Sequence, residues 1–522
     1  MELPDESCRA FDSVTPSDPD VLHRFVVGSD AAPHPLTPAE LARLGDPFAS
    51  LLLARGTFPR SGEQLLDAIR ARVRKGHPLK TQRTFLVGEG SQVAPGNPAV
   101  DATIRFVVTL GRGPDGPDLF LSAGDPKQPG GIEVMAWDRR AGGFNFYRSA
   151  GPAAMWMLAG NSRDAQRDAS RGKGPFESHP SGALLMKELK SPWVNWHSPE
   201  ANIPATVFPK GDARRRHPWF AEREPGGALT FELDAARPAI TRWAKARFSR
   251  LRKRGGTVAH PRRIMAQILD TPTVNLASTH VAGRALTRDS QLDLPATFFV
   301  DADGLSDVLG LAAPPAFTLS GRLYAKSLER FAVRLEDGQG FALQGDTHFC
   351  FVVPERAFED QAVLREVVDI GLVSRRLAAC LLMVDPWNPV FSDRRRALLR
   401  HVPATARIAN GKSSFSTDMA RAILAAAETA EASAPEAEFA ERWSAGAGFR
   451  GEFNRILRRY YDSVEARLKT QAGFDAYFKL AEERRQEFKA TMPIAEFPLL
   501  LPQTNIRARG RRMQRDGTVA AG

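Results

Sequence analysis

Cysteine and long apolar runs are scarce in this chain of 522 residues, and both shortages limit what the protein can be. Three cysteines, Cys8, Cys350 and Cys380, are too few and too far apart for a disulfide framework or a cysteine-only metal site. No apolar run approaches the roughly 18 residues of a transmembrane helix. The acidic start of the chain lacks the apolar segment of a signal peptide. We therefore expect a soluble, cytoplasmic protein, and the predominance of arginine over lysine favours a GC-rich bacterial source.

Familiar catalytic motifs are missing or incomplete. HExxH, GxSxG and CxxCH do not occur, and the last absence argues against covalently attached c-type haem. Gly88 and Gly90 follow a predicted strand, but a third glycine and a following helix are lacking, so a dinucleotide-binding turn is not expected. Gly411 and Lys412 match the end of a phosphate-binding loop, but Ala406 stands where the first glycine is required.

Positive charge is concentrated in one segment. Residues 210–263 contain 15 Lys and Arg against five Asp and Glu, which is +10 of the net charge of +11. The rest of the chain is nearly neutral, which argues against a generally nucleic-acid-binding protein. Within this segment, residues 237–254 predict a helix with Ile240, Trp243 and Phe248 in an apolar stripe. The basic side chains of that helix either contact phosphates or an anionic membrane surface, or they form a solvated face or a linker helix.

Hydrophobic periodicity predicts an α+β fold. Short runs with a period of two begin near residue 83 and are mostly separated by Gly, Pro and Asp, which favours an antiparallel, sandwich-like or barrel-like β-rich N-terminal domain. A mixed C-terminal domain that ends in helices follows. The predicted divisions are a helical N-terminal segment at residues 1–80, the β-rich domain 81–215, a basic connection 216–262, a mixed domain 263–430, C-terminal helices 431–500 and a disordered basic tail 501–522.

The stretch from residue 174 to residue 210 combines aromatic and ionisable side chains most densely. His179, Glu188 and His197 are two imidazoles and one carboxylate, the ligand set of a facial metal triad, and they are also candidates for general acid–base catalysis. Lys187 precedes Glu188 on a predicted strand, so one of the two is expected to face inward with a perturbed pKa unless the strand lies at an edge. In the alternative, the two histidines only cap backbone carbonyls.

The aromatic residues that follow are candidates for a ligand pocket. Trp193, Trp196 and Phe208 offer flat apolar faces, and Asn195 between the tryptophans offers polar orientation. The alternative is that these rings cover the open end of a sandwich.

A second, weaker metal or thiol site is predicted further along the chain. Asp346, His348 and Cys350 alternate, so a strand would place all three on one face. They are candidate metal ligands, or His348 activates the Cys350 thiol. Because cysteine is usually buried and the segment is very apolar, a core strand is the alternative interpretation.

Three functions are compatible with these patterns. The first is an oxidoreductase-like enzyme that depends on a metal or cofactor, a transition metal being the candidate, with its site at the end of the β-rich domain. The second is a non-enzymatic protein that binds an unknown small molecule or protein through residues 193–208. The third, which the charge distribution favours least, is a nucleic-acid-associated protein that uses the helix at residues 237–254.

Overall fold

The computed structural model describes residues 18–88, 104–111, 113, 115–184, 208–277, 289–336, 342–344, 352–491 and 502–521. The protein is α+β, with about 45% helix and 17% strand. The described chain forms two compact units, the first ending at Arg247 and the second beginning at Phe248. We describe each unit by itself.

One mixed sheet of eight strands dominates the first unit. Its strands are β1 (His23–Arg24), β2 (His34–Pro35), β3 (Gln82–Gly88), β4 (Ile104–Leu110), β5 (Leu119–Ala123), β6 (Ile132–Asp138), β7 (Gly143–Ala150) and β8 (Met155–Asn161). They lie in the order β2-β1-β8-β7-β6-β5-β4-β3. Strands β3 to β8 form an antiparallel meander, and β1 pairs parallel with β8.

The described strands of the first unit form one open sheet with β2 and β3 as its end strands, whereas the sequence favours a sandwich or barrel. Strands β1 and β2 lie within residues 1–80, which the sequence predicts as a helical segment. The runs with a period of two that begin near residue 83 correspond to β3–β8. The predicted strand that carries Lys187 and Glu188 is not a strand at residues 182–184, and its remainder lies outside the described residues.

The first unit contains five helices in the described ranges and the start of a sixth. They are α1 (Pro38–Leu41), α2 (Pro47–Leu51), α3 (Gly62–Arg72), α4 (Pro218–Ala221), α5 (Gly227–Phe231) and α6 (Arg237–Arg254), of which α6 continues past Arg247 into the second unit. Thr37 and Glu40 form a reciprocal capping box at α1, and Ser61 caps α3. One π turn, Glu232–Ala236, joins α5 to α6, which accommodates Pro238 in what is otherwise a continuous helix.

The two faces of the sheet carry different chemistry. Face A carries Glu133, Phe146 and Arg148, and face B carries Phe106 and Tyr147, because neighbouring residues of a strand point to opposite sides.

On face B, a buried carboxylate joins the start of α2 to the sheet. Asp46 accepts hydrogen bonds from the Tyr147 hydroxyl at 2.5 Å, the Asn145 amide at 2.8 Å and the backbone N–H of Ala49 at 2.9 Å. Phe48 packs against Tyr147 and Trp156, with ring centroids 5.1 and 4.7 Å apart. These contacts anchor α2 to β7 and β8 through both a polar and an apolar interaction.

The second unit is mainly helical and contains short strand pairs. Its helices are α7 (Pro261–Leu269), α8 (Gly321–Arg330), α9 (Phe358–Asp369), α10 (Arg375–Leu382), α11 (Asp393–Ala397), α12 (Phe415–Ala427), α13 (Pro435–Ser444), α14 (Phe449–Leu468) and α15 (Gln471–Thr491). Its strands are β9 (Gly256–Val258), β10 (Val274–Ala277), β11 (Gln291–Leu294), β12 (Phe317–Ser320), β13 (Arg334–Glu336), β14 (Ala342–Gln344), β15 (Val353–Arg356), β16 (Ala406–Ile408), β17 (Arg512–Met513) and β18 (Val519–Ala520).

The apolar pattern of residues 358–385 indicates one long helix, but the structure has two helices there, α9 and α10. Gly371 adopts a φ of +75°, and a Cβ at this position would lie 2.1 Å from the Gly411 carbonyl oxygen. Only glycine tolerates that approach, so the chain turns here and Ser374 caps a new helix. Residues 377–384 are nevertheless fully buried, as their continuous apolar character predicts.

The C-terminal end is ordered over residues 502–521, which corrects the predicted disordered tail. Strands β17 and β18 form a hairpin in which Met513 is buried. The Asn388 side chain donates to the Met513 carbonyl at 3.0 Å and accepts from its N–H at 3.1 Å. Arg511 and Arg512 pair with Glu483 and Glu487 of α15, so acidic partners neutralise the basic residues that made this segment look solvated.

Buried ionisable groups are frequent in the second unit. Asp360 of α9 accepts from the Thr273 N–H at 3.1 Å and from the Gln267 amide at 3.3 Å. Burial raises the pKa of Asp360 to about 7, although the nearby charge of Arg356 and these hydrogen bonds oppose the shift.

We predict that Asp360→Asn stabilises the protein at high pH relative to the wild type. In the unfolded chain Asp360 ionises near pH 4, whereas the folded protein keeps the proton up to about pH 7. The free energy of unfolding of the wild type therefore falls relative to that of the variant as pH rises through this window, by on the order of 2–4 kcal/mol. Melting temperatures between about pH 5 and pH 8 measure the difference. Asp369→Asn, an exposed change on the same helix, is the control, and a difference that does not vary with pH contradicts the prediction.

Candidate active site

Four strands of the meander each contribute one polar side chain to the same end of face A. Glu133 of β6 lies directly opposite Ser122 of β5 and Arg148 of β7. Arg105 of β4 extends across β5 and places its Nη1 atom 3.1 Å from Glu133 Oε2. The register of the sheet therefore assembles a row of two guanidinium groups, one carboxylate and one hydroxyl.

Glu133 is ionised within this row. Burial alone would raise the pKa of Glu133, but the charges of Arg105, Arg148 and His179 outweigh that effect and lower the pKa from its usual value of 4.5. The Glu133 side chain is 43% exposed, so a ligand in solvent can reach the carboxylate.

His179 lies above the row. Its Nδ1 atom is 3.0 Å from the Ala183 carbonyl oxygen, and its ring lies 5.2 Å from the ring of Phe146 on face A. Because a carbonyl only accepts hydrogen bonds, Nδ1 carries the hydrogen, and the neutral ring exposes a lone pair at Nε2. Burial lowers the pKa of His179 from 6.5, against the opposing effects of Glu133 and of the hydrogen bond to Ala183.

This arrangement is suited to proton transfer. At neutral pH it combines an ionised carboxylate, two arginines and an uncharged imidazole whose Nδ1 anchor fixes the ring. Ser122 Oγ is buried and has no hydrogen-bond partner in the described part of the chain. A Ser-His-Glu triad would need the carboxylate at Nδ1, which the Ala183 carbonyl occupies. The geometry therefore supports a general base rather than an activated serine.

The structure locates two of the residues that the sequence singles out. His179 lies at the row on face A, and its hydrogen bond to a backbone carbonyl also agrees with the capping alternative. Phe208 is 1% exposed and stacks on Phe106 of face B, so the sheet separates it from His179. Phe208 thus has a core position rather than a place in a pocket with His179.

The other predicted site residues are outside the described ranges. They are Lys187, Glu188, Trp193, Asn195, Trp196, His197, Asp346, His348 and Cys350. Among the described residues, no group of three or more His, Cys, Asp and Glu side chains is arranged to hold a metal ion. His179 and Glu133 alone are fewer than the three protein ligands of a usual catalytic metal site.

Sequence analysis missed Arg105, Ser122, Glu133 and Arg148. Arg105 and Arg148 are the one charged residue in β4 and in β7, and Ser122 is the one polar residue in β5, so a lone charged or polar side chain was the available signal in these three strands. Recognising them as one cluster requires the pairing register, which the alternation within each strand does not specify.

The basic helix α6 is engaged by its own protein over much of its length. Trp243 donates its indole N–H to the Ser181 carbonyl at 2.9 Å, and Phe248 is buried in the core of the second unit. Arg242 pairs with Asp118 at 2.9 Å and lies 4.2 Å from the Trp137 ring centroid. At these positions the side chains of α6 therefore contact their own protein.

Comparisons with known proteins identify no relative. No protein-family model, no curated protein and no solved structure matches the chain. None of the helices in the described ranges has the length and apolarity needed to span a bilayer.

We predict that His179 titrates below 6.5 and that Glu133→Gln lowers its pKa further. The Glu133 carboxylate stabilises the imidazolium form, so removing its charge favours the neutral ring. Proton NMR of the imidazole C–H signals across a pH series measures both values, with His179→Gln to assign the resonance. Glu177→Gln, two residues from His179, is the matched control and is expected to leave the pKa unchanged. A His179 pKa at or above 6.5 in the wild type would refute this.

Proposed function

We propose that the protein is an enzyme that binds a small anionic substrate on face A and uses His179 as a general base. The observation that carries this proposal is the anchored, neutral imidazole beside an ionised carboxylate that two arginines flank. The guanidinium groups of Arg105 and Arg148 favour an anionic ligand, because guanidinium groups bind carboxylates and phosphates.

Each residue has a distinct role in this proposal. Arg105 and Arg148 bind the negative group of the substrate, and Glu133 keeps both guanidinium groups at the row. Nε2 of His179 accepts a proton from the bound substrate, and Glu133 stabilises the imidazolium that forms. Ser122 Oγ is placed to hydrogen-bond a polar substrate atom, which would satisfy a buried hydroxyl.

A metal-dependent oxidoreductase is the second candidate. In metal sites, a ligating histidine usually donates its other ring N–H to a carbonyl or carboxylate, and the bond from Nδ1 to Ala183 is of that kind. In this case Nε2 would bind the metal, with His197 and Glu188 as the further ligands that the sequence suggests.

We predict that small anions perturb the His179 resonance and that His179→Gln removes the response at the site. The probes are acetate, inorganic phosphate and phenyl phosphate, added to the full-length protein, and binding is measured from the imidazole signal in the wild type and calorimetrically in the variants. Arg148→Gln is expected to weaken binding about tenfold through the loss of a charged hydrogen bond. His34→Gln, an exposed histidine of β2, is the control.

Elemental analysis of the same samples separates the two candidates. A stoichiometric metal that is present in the wild type and in His34→Gln but absent from His179→Gln supports the metal-dependent enzyme. A metal-free protein with an anion response supports the general base. If neither anions nor metals affect His179, both candidates are rejected, and a binding protein that acts through another surface becomes the better interpretation.

A further inference from the structure

A cavity of about 630 Å³ lies in the second unit between α14 and the C-terminal hairpin of β17 and β18. Its volume falls within the range of roughly 300–1,000 Å³ that small-molecule sites occupy. Ile456, Arg459 and Ser463 line it from the helix, and Arg515 and Asp516 line it from the hairpin.

The helix side of the cavity is firmly held. Tyr460 is 2% exposed, and its hydroxyl donates to the Phe299 carbonyl at 2.9 Å. Trp387 packs against it, with ring centroids 5.9 Å apart. These contacts fix the turn of α14 that carries Arg459.

The mouth of the cavity carries positive charge. Arg459 is exposed and makes no ion pair with the described residues. Arg515 is 60% exposed, and its contact with Glu441 is long, at 3.8 Å, so solvent screens it. The Asp516 carboxylate accepts from the backbone N–H and the hydroxyl of Thr518 at 2.9 and 2.7 Å, and these hydrogen bonds lower its pKa. Asp516 is therefore ionised, and Arg459 and Arg515 exceed it by one positive charge.

Hydrogen bonds to other parts of the second unit hold the hairpin that forms one wall of the cavity. Tyr477 of α15 donates its hydroxyl to the Gly517 carbonyl at 2.8 Å, next to Asp516. Asn388 holds the backbone of Met513 on the other strand. The two arginines are therefore presented from two elements whose relative position does not depend on a ligand.

We propose that this cavity binds a small organic anion that carries a carboxylate or a phosphate. The acid group binds to Arg459 and Arg515, whose planar guanidinium groups match the oxygens of both acids. This site is separate from face A in its residues and does not depend on the function proposed there.

The test measures the binding of phenyl phosphate, benzoate and phenol to the full-length protein by saturation-transfer NMR and calorimetry. The two anions are expected to bind, whereas phenol, which lacks the charge, binds much more weakly. Arg459→Ala and Arg515→Ala are each expected to weaken binding of the anions about tenfold. Arg458→Ala is the matched control, because Arg458 is the exposed neighbour on α14 and does not line the cavity.

The outcomes separate this site from face A and from non-specific binding. Binding that Arg148→Gln retains and that the Arg459 and Arg515 variants lose supports the cavity. A preference for phenyl phosphate or for benzoate identifies the acid. Equal losses in the Arg458 and Arg459 variants, phenol binding as tight as phenyl phosphate, or no binding at millimolar concentration would overturn the proposal. Circular dichroism melts confirm that the variants, all at exposed side chains, are folded.

Discussion

The structure of the second unit depends on the burial of one guanidinium group, that of Arg395. Arg395 is 1% exposed, and a buried cation without partners would cost several kcal/mol. Its nitrogens donate at 2.6 to 3.3 Å to four backbone carbonyls, those of Val384, Asp385, Asn388 and Pro389. All four acceptors belong to the short segment 384–389, so these hydrogen bonds fix the backbone conformation of that segment. Within it, Asp385 adopts a φ of +52°. Burial lowers the pKa of Arg395 to about 10, so the group is still charged at neutral pH.

Other regions of the second unit are also held by buried arginines that donate to backbone carbonyls. Arg484 donates to the carbonyls of Phe298 and Trp387, and Arg356 donates to those of Gln267 and Ile268. A guanidinium group is planar and has five N–H donors, so it can hydrogen-bond to carbonyls of several separate segments at once, which a lysine cannot do. The segment that Arg395 shapes also carries Asn388, which holds the C-terminal hairpin. The position of the C-terminal hairpin, and with it one wall of the cavity, thus depends on the buried cation Arg395.

Local patterns in the sequence predict the elements of this protein better than their assembly. The period of two identifies β3 to β8, and the caps at Thr37 and Ser61 place two helix starts, because both signals are written in neighbouring residues. The break at Gly371 depends on a backbone 40 residues away, so the apolar pattern across it reads as one helix. The candidate site is similar. His179 is conspicuous in its own segment, but Glu133 and its arginines become a cluster only through cross-strand register.

The connectivity of the eight-stranded sheet has a consequence for synthesis on the ribosome. Every pair from β3 to β8 joins strands that are consecutive in the chain, so each hairpin can close soon after its second strand emerges. Strands β1 and β2 precede the meander and pair with each other, but the second neighbour of β1 is β8, which is made more than a hundred residues later. One edge of β1 therefore stays unpaired until the last strand of the meander has been synthesised.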